Sequence, residues 1–269
     1  MQPLIKVENL VKRYARRNPA GGREEVLALD GVSFQVLPRT TLAVVGESGS
    51  GKSTLALCLA CLEEATSGSI WFEGKDISKS AEKERRERRP QIQLIFQDPA
   101  SSLNPRWKAA EILTEPLVLQ GGIPREELKR RACALLGRVG LSAEIAERLP
   151  SELSGGQRQR LAIARALALE PKVLILDEGL SALDCSVQAQ IANLLMELQA
   201  ALGMTYVFIT HDLAMAAHLA DEIVVMNGGR IVERGRAEEV LREPREEITR
   251  RLLAAVPRFT GAPTAPIGR

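Results

Sequence analysis

"TLAVVGESGSGKST", Thr41 to Thr54, decides how the rest of the chain is read. A short apolar run ends in a glycine-rich loop, and the loop leads into good helix formers, "STLALCLACLEEA". That order predicts a buried strand, a turn and a helix. Gly46 to Ser53 fits G-x-x-x-x-G-K-[ST], and a strand before it with a helix after it is the context the pattern requires. Gly46, Gly49 and Gly51 allow the backbone to wrap a phosphate chain closely, with Glu47, Ser48 and Ser50 between them. Lys52 supplies a point charge to β- and γ-phosphates, Ser53 offers a hydroxyl to Mg²⁺, and Thr54 continues the helix start. The expected ligand is a nucleoside triphosphate.

Outward from this loop, apolar strands alternate with helical runs. "IQLIF", "KVLILDE" and "MTYVFITH" read as buried strands, and "VQAQIANLLMELQAAL" as the helix between the last two. This alternation predicts a mostly parallel sheet covered on both faces. "IKVENLVKRY", "VLALDGVSFQV" and "SGSIWFEGKDI" form an N-terminal section of β-rich runs, expected to be antiparallel. From about 98 to 170 the pattern is mostly helical, an inserted sub-domain. "EIVVMNGGRIVERG" predicts a hairpin turning at Asn227-Gly228-Gly229. A helical extension is expected over about 236–257, and the Pro/Gly-rich 258–269 as a flexible tail, outside a domain of 1–257. The charge run "KSAEKERRERR" reads as a solvated helix or loop. Cys58 and Cys61 stand as C-x-x-C inside an apolar helical run with no second pair, which points to core cysteines rather than a metal site.

The 269 residues include 36 basic and 34 acidic ones, for a net charge of +2. Such a balance argues against a dedicated nucleic-acid binder. No apolar run is long enough for a membrane span. The opening "MQPLIKVENLVKRY" lacks the apolar core of a signal peptide, so a cytosolic chain is expected.

Three further stretches carry chemistry. "VLILDE", Val173 to Glu178, ends a buried strand in two carboxylates. Asp177 is the candidate Mg²⁺ ligand and Glu178 the group that orients or deprotonates the attacking water. His211 and Gln97 each follow an apolar strand, where ligands lie in open α/β sheets. His211 is placed to contact the γ-phosphate, and Gln97 to sense Mg²⁺ or the water. "LSGGQRQR", Leu153 to Arg160, is a second helix start with free amides, hence a second anion site.

P-loop, "LSGGQ", "LILDE", "SALD" and a strand-end histidine, in this order, resemble the ATP-binding cassette (ABC) ATPases over nearly the whole chain. The resemblance implies an α/β P-loop NTPase of the ABC type: a mostly parallel core, an N-terminal antiparallel section and a helical sub-domain. In that family two cassettes pack head to tail, each ATP lying between one P-loop and the partner's signature. Ser154, Gly155, Gly156 and Gln157 would then serve the partner's ATP, which answers why a second anion site exists. By the same resemblance Tyr14 stacks on adenine, Asp184 links the two sites across the dimer, and Gln97 lies in the loop that touches membrane-embedded subunits. Within that loop, Arg106 and Trp107 are expected to dock on a short cytoplasmic helix of such a subunit.

"FQDPASSLNPR", "LPSELSGGQRQRLAIARAL", "SALDCSVQAQI" and "RRLLAAVPR" are similar to the ATPases of dipeptide, oligopeptide and nickel importers. The resemblance implies separate permease subunits, a second cassette chain (a sister or itself), an external solute-binding protein, and a peripheral place on the cytoplasmic face of the inner membrane. ATP and Mg²⁺ are the implied ligands. Two departures stand out: Gly179-Leu180 replaces the family's Pro-Thr, and "EPREEITRRLL" replaces its His-Pro-Tyr stretch. A soluble ABC ATPase of DNA repair or translation would need a coiled-coil or DNA-binding insertion, or a second cassette. The sequence carries none of these.

Overall fold

The computed structural model describes residues 2–17, 23–78, 80–96, 102–178 and 184–255. Gln97, Gly179-Leu180 and the tail 258–269 therefore lie outside the described residues. The chain opens with β1 (Ile5–Arg17) and β2 (Arg23–Val36), followed by β3 (Thr41–Val45) and α1 (Lys52–Leu59). Next come β4 (Ser67–Phe72), the short β5 (Lys75–Asp76), α2 (Glu82–Arg88) and β6 (Ile92–Ile95). Three helices follow: α3 (Ala109–Gln120), α4 (Arg125–Arg138) and α5 (Gly155–Leu167). The second half runs β7 (Val173–Asp177), α6 (Cys185–Leu202), β8 (Thr205–Thr210), α7 (Leu213–Leu219), β9 (Glu222–Asn227) and β10 (Arg230–Arg236). It ends in α8 (Ala237–Arg242) and α9 (Glu247–Ala254).

Two sheets result. One is antiparallel, in the order β2-β1-β4-β5; the other has the order β10-β9-β3-β8-β7-β6 and is parallel except for β10 at its edge. β3, β7 and β8 are buried along their whole length, as the covered strands of a parallel sheet must be. Their side chains divide by strand alternation. Val173 and Ile175 of β7 join Val44, Val207 and α1 in a core shared with Ile5, Leu10 and Phe72 of the antiparallel sheet. Leu174 and Leu176 face the other way, into a core built with α3, α4, α5 and α6 around Ile112, Leu136, Leu161 and Leu195. A third, smaller core sets Ala43 and Val45 against Leu213, Val240 and Ile248 of α7, α8 and α9. The P-loop helix and the signature helix thus belong to different cores.

Cys58 and Cys61 sit in the first of these cores, and burial pushes the Cys58 thiol up to about 12 and raises Cys61 as well. No described helix is long and apolar enough to cross a membrane. The expected hairpin forms with Arg230 opposite Asn227, leaving Gly228 and Gly229 as its two-residue loop. Both have positive φ, 54° and 78°, the requirement of a type I′ turn.

The helical extension expected over about 236–257 consists, among the described residues, of two helices. The backbone leaves the helix at Glu243, ahead of Pro244, which disfavours helical geometry in the preceding residue. The second helix is tied down by a buried carboxylate. Glu233 accepts from the backbone N–H of Arg245 (2.9 Å) and Glu246 (3.1 Å) and from the Thr249 hydroxyl (2.5 Å). Removing it in Glu233→Ala leaves three donors short of a partner. The change should cost about 1–3 kcal/mol in denaturant unfolding. Hydrogen exchange should show lost protection concentrated in 245–254, with β3 and β7 unaffected.

Candidate nucleotide-binding site

Strand register gathers the chemistry. Val45 pairs with Thr210, and Asp177 with Ile209, so Gly46, Glu178 and His211 all leave the parallel sheet at one end. The loop from Gly46 to Gly51 curls back over α1, and Gly51 caps that helix with φ 102°. A side chain there would be strained, and it would run into the carbonyl oxygen of Ala28 on β2.

Inside the curl, Lys52 is 4% exposed and donates to the carbonyl oxygens of Gly46 (2.8 Å) and Glu47 (2.9 Å). Its ammonium lies 4.0 Å from Glu178 Oε1. Burial pulls the lysine below its ordinary pKa, and the charges of Glu178 and Asp177 pull it back up. The hydroxyl of Ser53 donates to Asp177 Oδ1 at 3.2 Å. Burial raises the Asp177 carboxyl, against the Ser53 hydrogen bond and the Lys52 charge. His211 Nδ1 stands 3.6 Å from Glu178 Oε1. Glu178 itself adopts φ 48°, rare for a residue with a side chain, and its N–H is held by Ile209 O at 2.9 Å.

The residues fit a triphosphate and a divalent cation. Ser50 Oγ is buried without a hydrogen-bond partner among the described residues, a donor left over inside the curl. Lys52 meets only loop carbonyls and carboxylates. Ser53 and Asp177 offer a hydroxyl and a carboxylate oxygen side by side, hard donors of the kind Mg²⁺ takes.

The second anion site is built separately. Ser154 caps α5: its Oγ accepts from Gln157 N (3.3 Å) while Gln157 Oε1 accepts from Ser154 N (2.9 Å). This capping box occupies the amide of Gln157, the third residue of the helix, and leaves those of Gly155 and Gly156 at the helix start. Gly156 packs so tightly on α6 that a Cβ there would stand 2.8 Å from Val187 Cγ1. Asp184 caps α6, accepting from Val187 N at 2.9 Å. Among the described residues no hydrogen bond or ion pair joins Ser154–Gln157 to the P-loop. Tyr14 lies on β1 under the Lys12 ammonium, 4.8 Å from the ring centroid. Lys12 in turn pairs with Glu63 at 2.5 Å. Trp107 is 37% exposed and Arg106 exposed.

Sequence reasoning missed the brace behind the P-loop. Gly229, in the β9–β10 turn, donates to Ser50 O (3.1 Å) and accepts from Asp30 N (2.9 Å). The next residue, Arg230, binds the Asp30 carboxylate through Nε (2.6 Å) and Nη2 (2.5 Å). The hairpin was legible; its partners lie on β2 and in the loop, far away in the chain. Arg251 of α9 also approaches the P-loop, 3.7 Å from Glu47.

A family profile described as "ABC transporter" matches residues 29–181. The chain belongs to the ABC transporter family. It is 46% identical over 96% of its length to a dipeptide transport ATP-binding protein, DppF, of Escherichia coli K12, covering 78% of that protein. With the di/tripeptide transport ATP-binding protein DppF of Pseudomonas aeruginosa it shares 45% identity over 99% of the chain and 83% of the relative. Among solved structures it is similar to the dimeric ATP-binding cassette MJ0796 bound to ADP and Pi. The TM-score is 0.77 and the identity 31%, covering 87% of this chain and 98% of that one. Similarity to cbiO1 of Clostridium perfringens is comparable, with TM-score 0.78, 32% identity, and 90% and 92% covered. The protein is an ATPase of the ABC type, with the α/β P-loop fold expected of it.

The brace predicts a binding defect. Asp30→Ala unties Arg230 and loosens the turn that holds Ser50. Since this ion pair is partly exposed, its loss should raise KM for ATP only about two- to fivefold, with kcat nearly unchanged. Steady-state ATPase kinetics check the split.

Proposed function

We propose that this chain is the ATP-hydrolysing subunit of an importer for short peptides. One observation carries it: Lys52, the Ser53–Asp177 pair, Glu178 and His211 converge at one end of the parallel sheet. The peptide assignment is supported by the names of the relatives; a nickel importer, the other reading of the sequence, is not among those named. The DNA-repair and translation alternative draws no support from them.

In this reading the amides of Gly46–Gly51, with Glu47 and Ser48 in the backbone curl, cradle the β- and γ-phosphates, and the Ser50 hydroxyl adds a donor. Lys52 neutralises charge on the same oxygens, and Thr54 belongs to the helix start beneath them. Ser53 and Asp177 would hold Mg²⁺, and by family resemblance Gln97 would join them. The cation draws charge from the γ-phosphate when bound. Glu178 takes a proton from the water whose oxygen attacks the γ-phosphorus, and the bond to the β–γ bridging oxygen breaks to release ADP. His211 contacts the γ-phosphate and steadies Glu178. Adenine stacks on the Tyr14 face opposite Lys12.

The signature serves the other nucleotide of a head-to-tail dimer: the Ser154 hydroxyl and the amides of Gly155 and Gly156 reach the partner's γ-phosphate, oriented by the Gln157 cap. Asp184 spans the two sites. The separation of the P-loop and the signature into different cores supports this arrangement, as does the dimeric state of MJ0796. The partner cassette is a second copy or a sister chain. A groove of about 620 Å³ beside β6, lined by Arg89, Gln93, Phe96, Ser102, Leu119 and Arg165, together with the exposed Arg106 and Trp107, is the surface for the permease. Phe96 is 43% and Leu119 80% exposed there, apolar area that a partner helix would cover. The chain then works peripherally at the cytoplasmic face of the inner membrane, supplied with cargo through permease subunits by an external solute-binding protein. No nucleic acid takes part.

Two variants test the site. Glu178→Gln keeps the cation ligands but cannot accept the proton, so hydrolysis should fall about 10²–10⁴-fold while ATP binding persists. Size-exclusion chromatography with ATP should show a dimer; only monomer would contradict the reading. Lys52→Ala, by contrast, should lose both binding and turnover.

Gly155→Asp should leave ATP affinity in the isolated chain intact. It places a negative charge where the helix dipole faces the partner's phosphate, so ATP-dependent dimerisation and turnover should both fail. Nucleotide titration of the monomer against the ATPase assay separates the two effects.

A further inference from the structure

Lysines are seldom enclosed by a fold, yet Lys12 on β1 is only 8% exposed, and none of the roles above uses its charge. Its ammonium donates to Glu63 Oε1 at 2.5 Å and to the carbonyl oxygen of Glu64 at 2.7 Å. Both acceptors lie in the segment that follows α1, and that segment is bonded back to the helix: Glu63 N–H donates to Leu57 O at 3.2 Å. The P-loop helix therefore carries the clamp that holds the lysine. The same ammonium stands over the Tyr14 ring, 4.8 Å from its centroid, within the range at which a cation is attracted to an aromatic face.

The strands place this ring with respect to the phosphate site. Lys12 and Tyr14 are two residues apart on β1 and so share the face that carries Leu10 into the first core. Opposite Tyr14 on β2 stands Val26, 41% exposed. Cross-strand neighbours share a face, so the half-buried ring and the valine form an apolar step that the chain leaves partly uncovered. Two residues further along β2, the carbonyl oxygen of Ala28 abuts Gly51 of the P-loop. The ring is thus tied to the P-loop twice, through β2 and through the end of α1.

We propose that Lys12 is a positioning residue for the nucleotide base: clamped by Glu63 and Glu64, its ammonium fixes the Tyr14 ring beside the P-loop and leaves the ring's other face, with Val26, to take a planar base. This role rests on the reading of Tyr14 as the adenine platform. A ring at the rim of a sheet that turned freely would lose that freedom on binding, whereas a ring fixed beforehand does not. Lys12 then acts on the base and not on the phosphates.

The test compares Mg-ADP with Mg-pyrophosphate on the full chain by titration calorimetry. Neither causes turnover, and only ADP carries a base. Lys12→Met keeps an apolar stem and removes the charge. It should weaken ADP about three- to tenfold, the order of one cation–π contact, and leave pyrophosphate within about twofold. Lys12→Gln, which can still donate to Glu64 O, should show the same selective loss and serves if the Met variant does not fold. Lys12→Arg keeps a cation over the ring and should restore ADP to within about twofold. In a Tyr14→Ala chain, where ADP is already weakened, removing the Lys12 charge should add nothing further. Parental ADP affinity in the neutral variants, while Tyr14→Ala is impaired, would overturn the role of Lys12 alone. Equal losses of ADP and pyrophosphate, no recovery in Lys12→Arg, or a further loss in the Tyr14→Ala chain would overturn it too, because Lys12 would then be a brace for α1. Parental ADP affinity in Tyr14→Ala would overturn the reading of the base platform, and this inference with it.

Discussion

A buried ammonium needs compensation, and the structure is arranged around that demand. Lys52 is almost fully enclosed, where an uncompensated charge would neutralise itself by giving up its proton. Two loop carbonyls and the nearby carboxylates of Asp177 and Glu178 hold it in place. The carbonyls can reach it only because Gly46 to Gly51 doubles back, and the loop can double back only because its glycines let β2 and the β9–β10 turn press against it. The carboxylates can reach it only because β7 lies two strands from β3 with matching ends. A triphosphate entering this curl replaces carbonyl contacts with phosphate oxygens, which carry far more negative charge. In the proposed reading, the loop is therefore already shaped and charged for its ligand.

Much of this was legible in the sequence because the signals are local. The strand, loop and helix around Gly46–Ser53 declare themselves within fourteen letters, and "VLILDE" within six. The hairpin at Gly228-Gly229 follows from turn chemistry. The Cys58–Cys61 pair was readable as core from its apolar helical surroundings, and its buried thiols agree. Where the sequence fell short, the contacts are long-range. Nothing in "LALDGVS" announces that Asp30 would reach Arg230, and nothing near Lys12 announces Glu63. The helical character of the C-terminal extension was legible, but not that a glutamate on β10 fixes where its second helix starts.

The partition into cores gives the two anion sites their different characters. α1 is locked between the two sheets, so the P-loop is anchored to a helix enclosed on both sides. α5 belongs with α3 and α4 and meets the parallel sheet on the face formed by Ile95 of β6 and the outward residues of β7 and β8. Its N-terminus is stabilised locally, by a reciprocal cap between Ser154 and Gln157, and needs no anion to stay folded. Such an end is a preformed donor surface that can be carried by a body of helices toward a phosphate held elsewhere.

That difference bears on how binding becomes motion. A ligand shifts an equilibrium only by the free energy with which it prefers one state over another. ATP held by the P-loop alone contacts the first core and has no preference about where α5 stands. In the proposed head-to-tail dimer, ATP that also met Gly155 and Gly156 of a second chain would have one, because the helix-start amides would interact with its γ-phosphate and with nothing comparable once that phosphate leaves. Closure of the pair is then coupled to the γ-phosphate itself. The first turn of α6 packs on the signature through Val187 and lines, through Gln188, a cavity it shares with Glu178. In the proposed reading, one helical turn therefore adjoins both of the events that have to be kept in step.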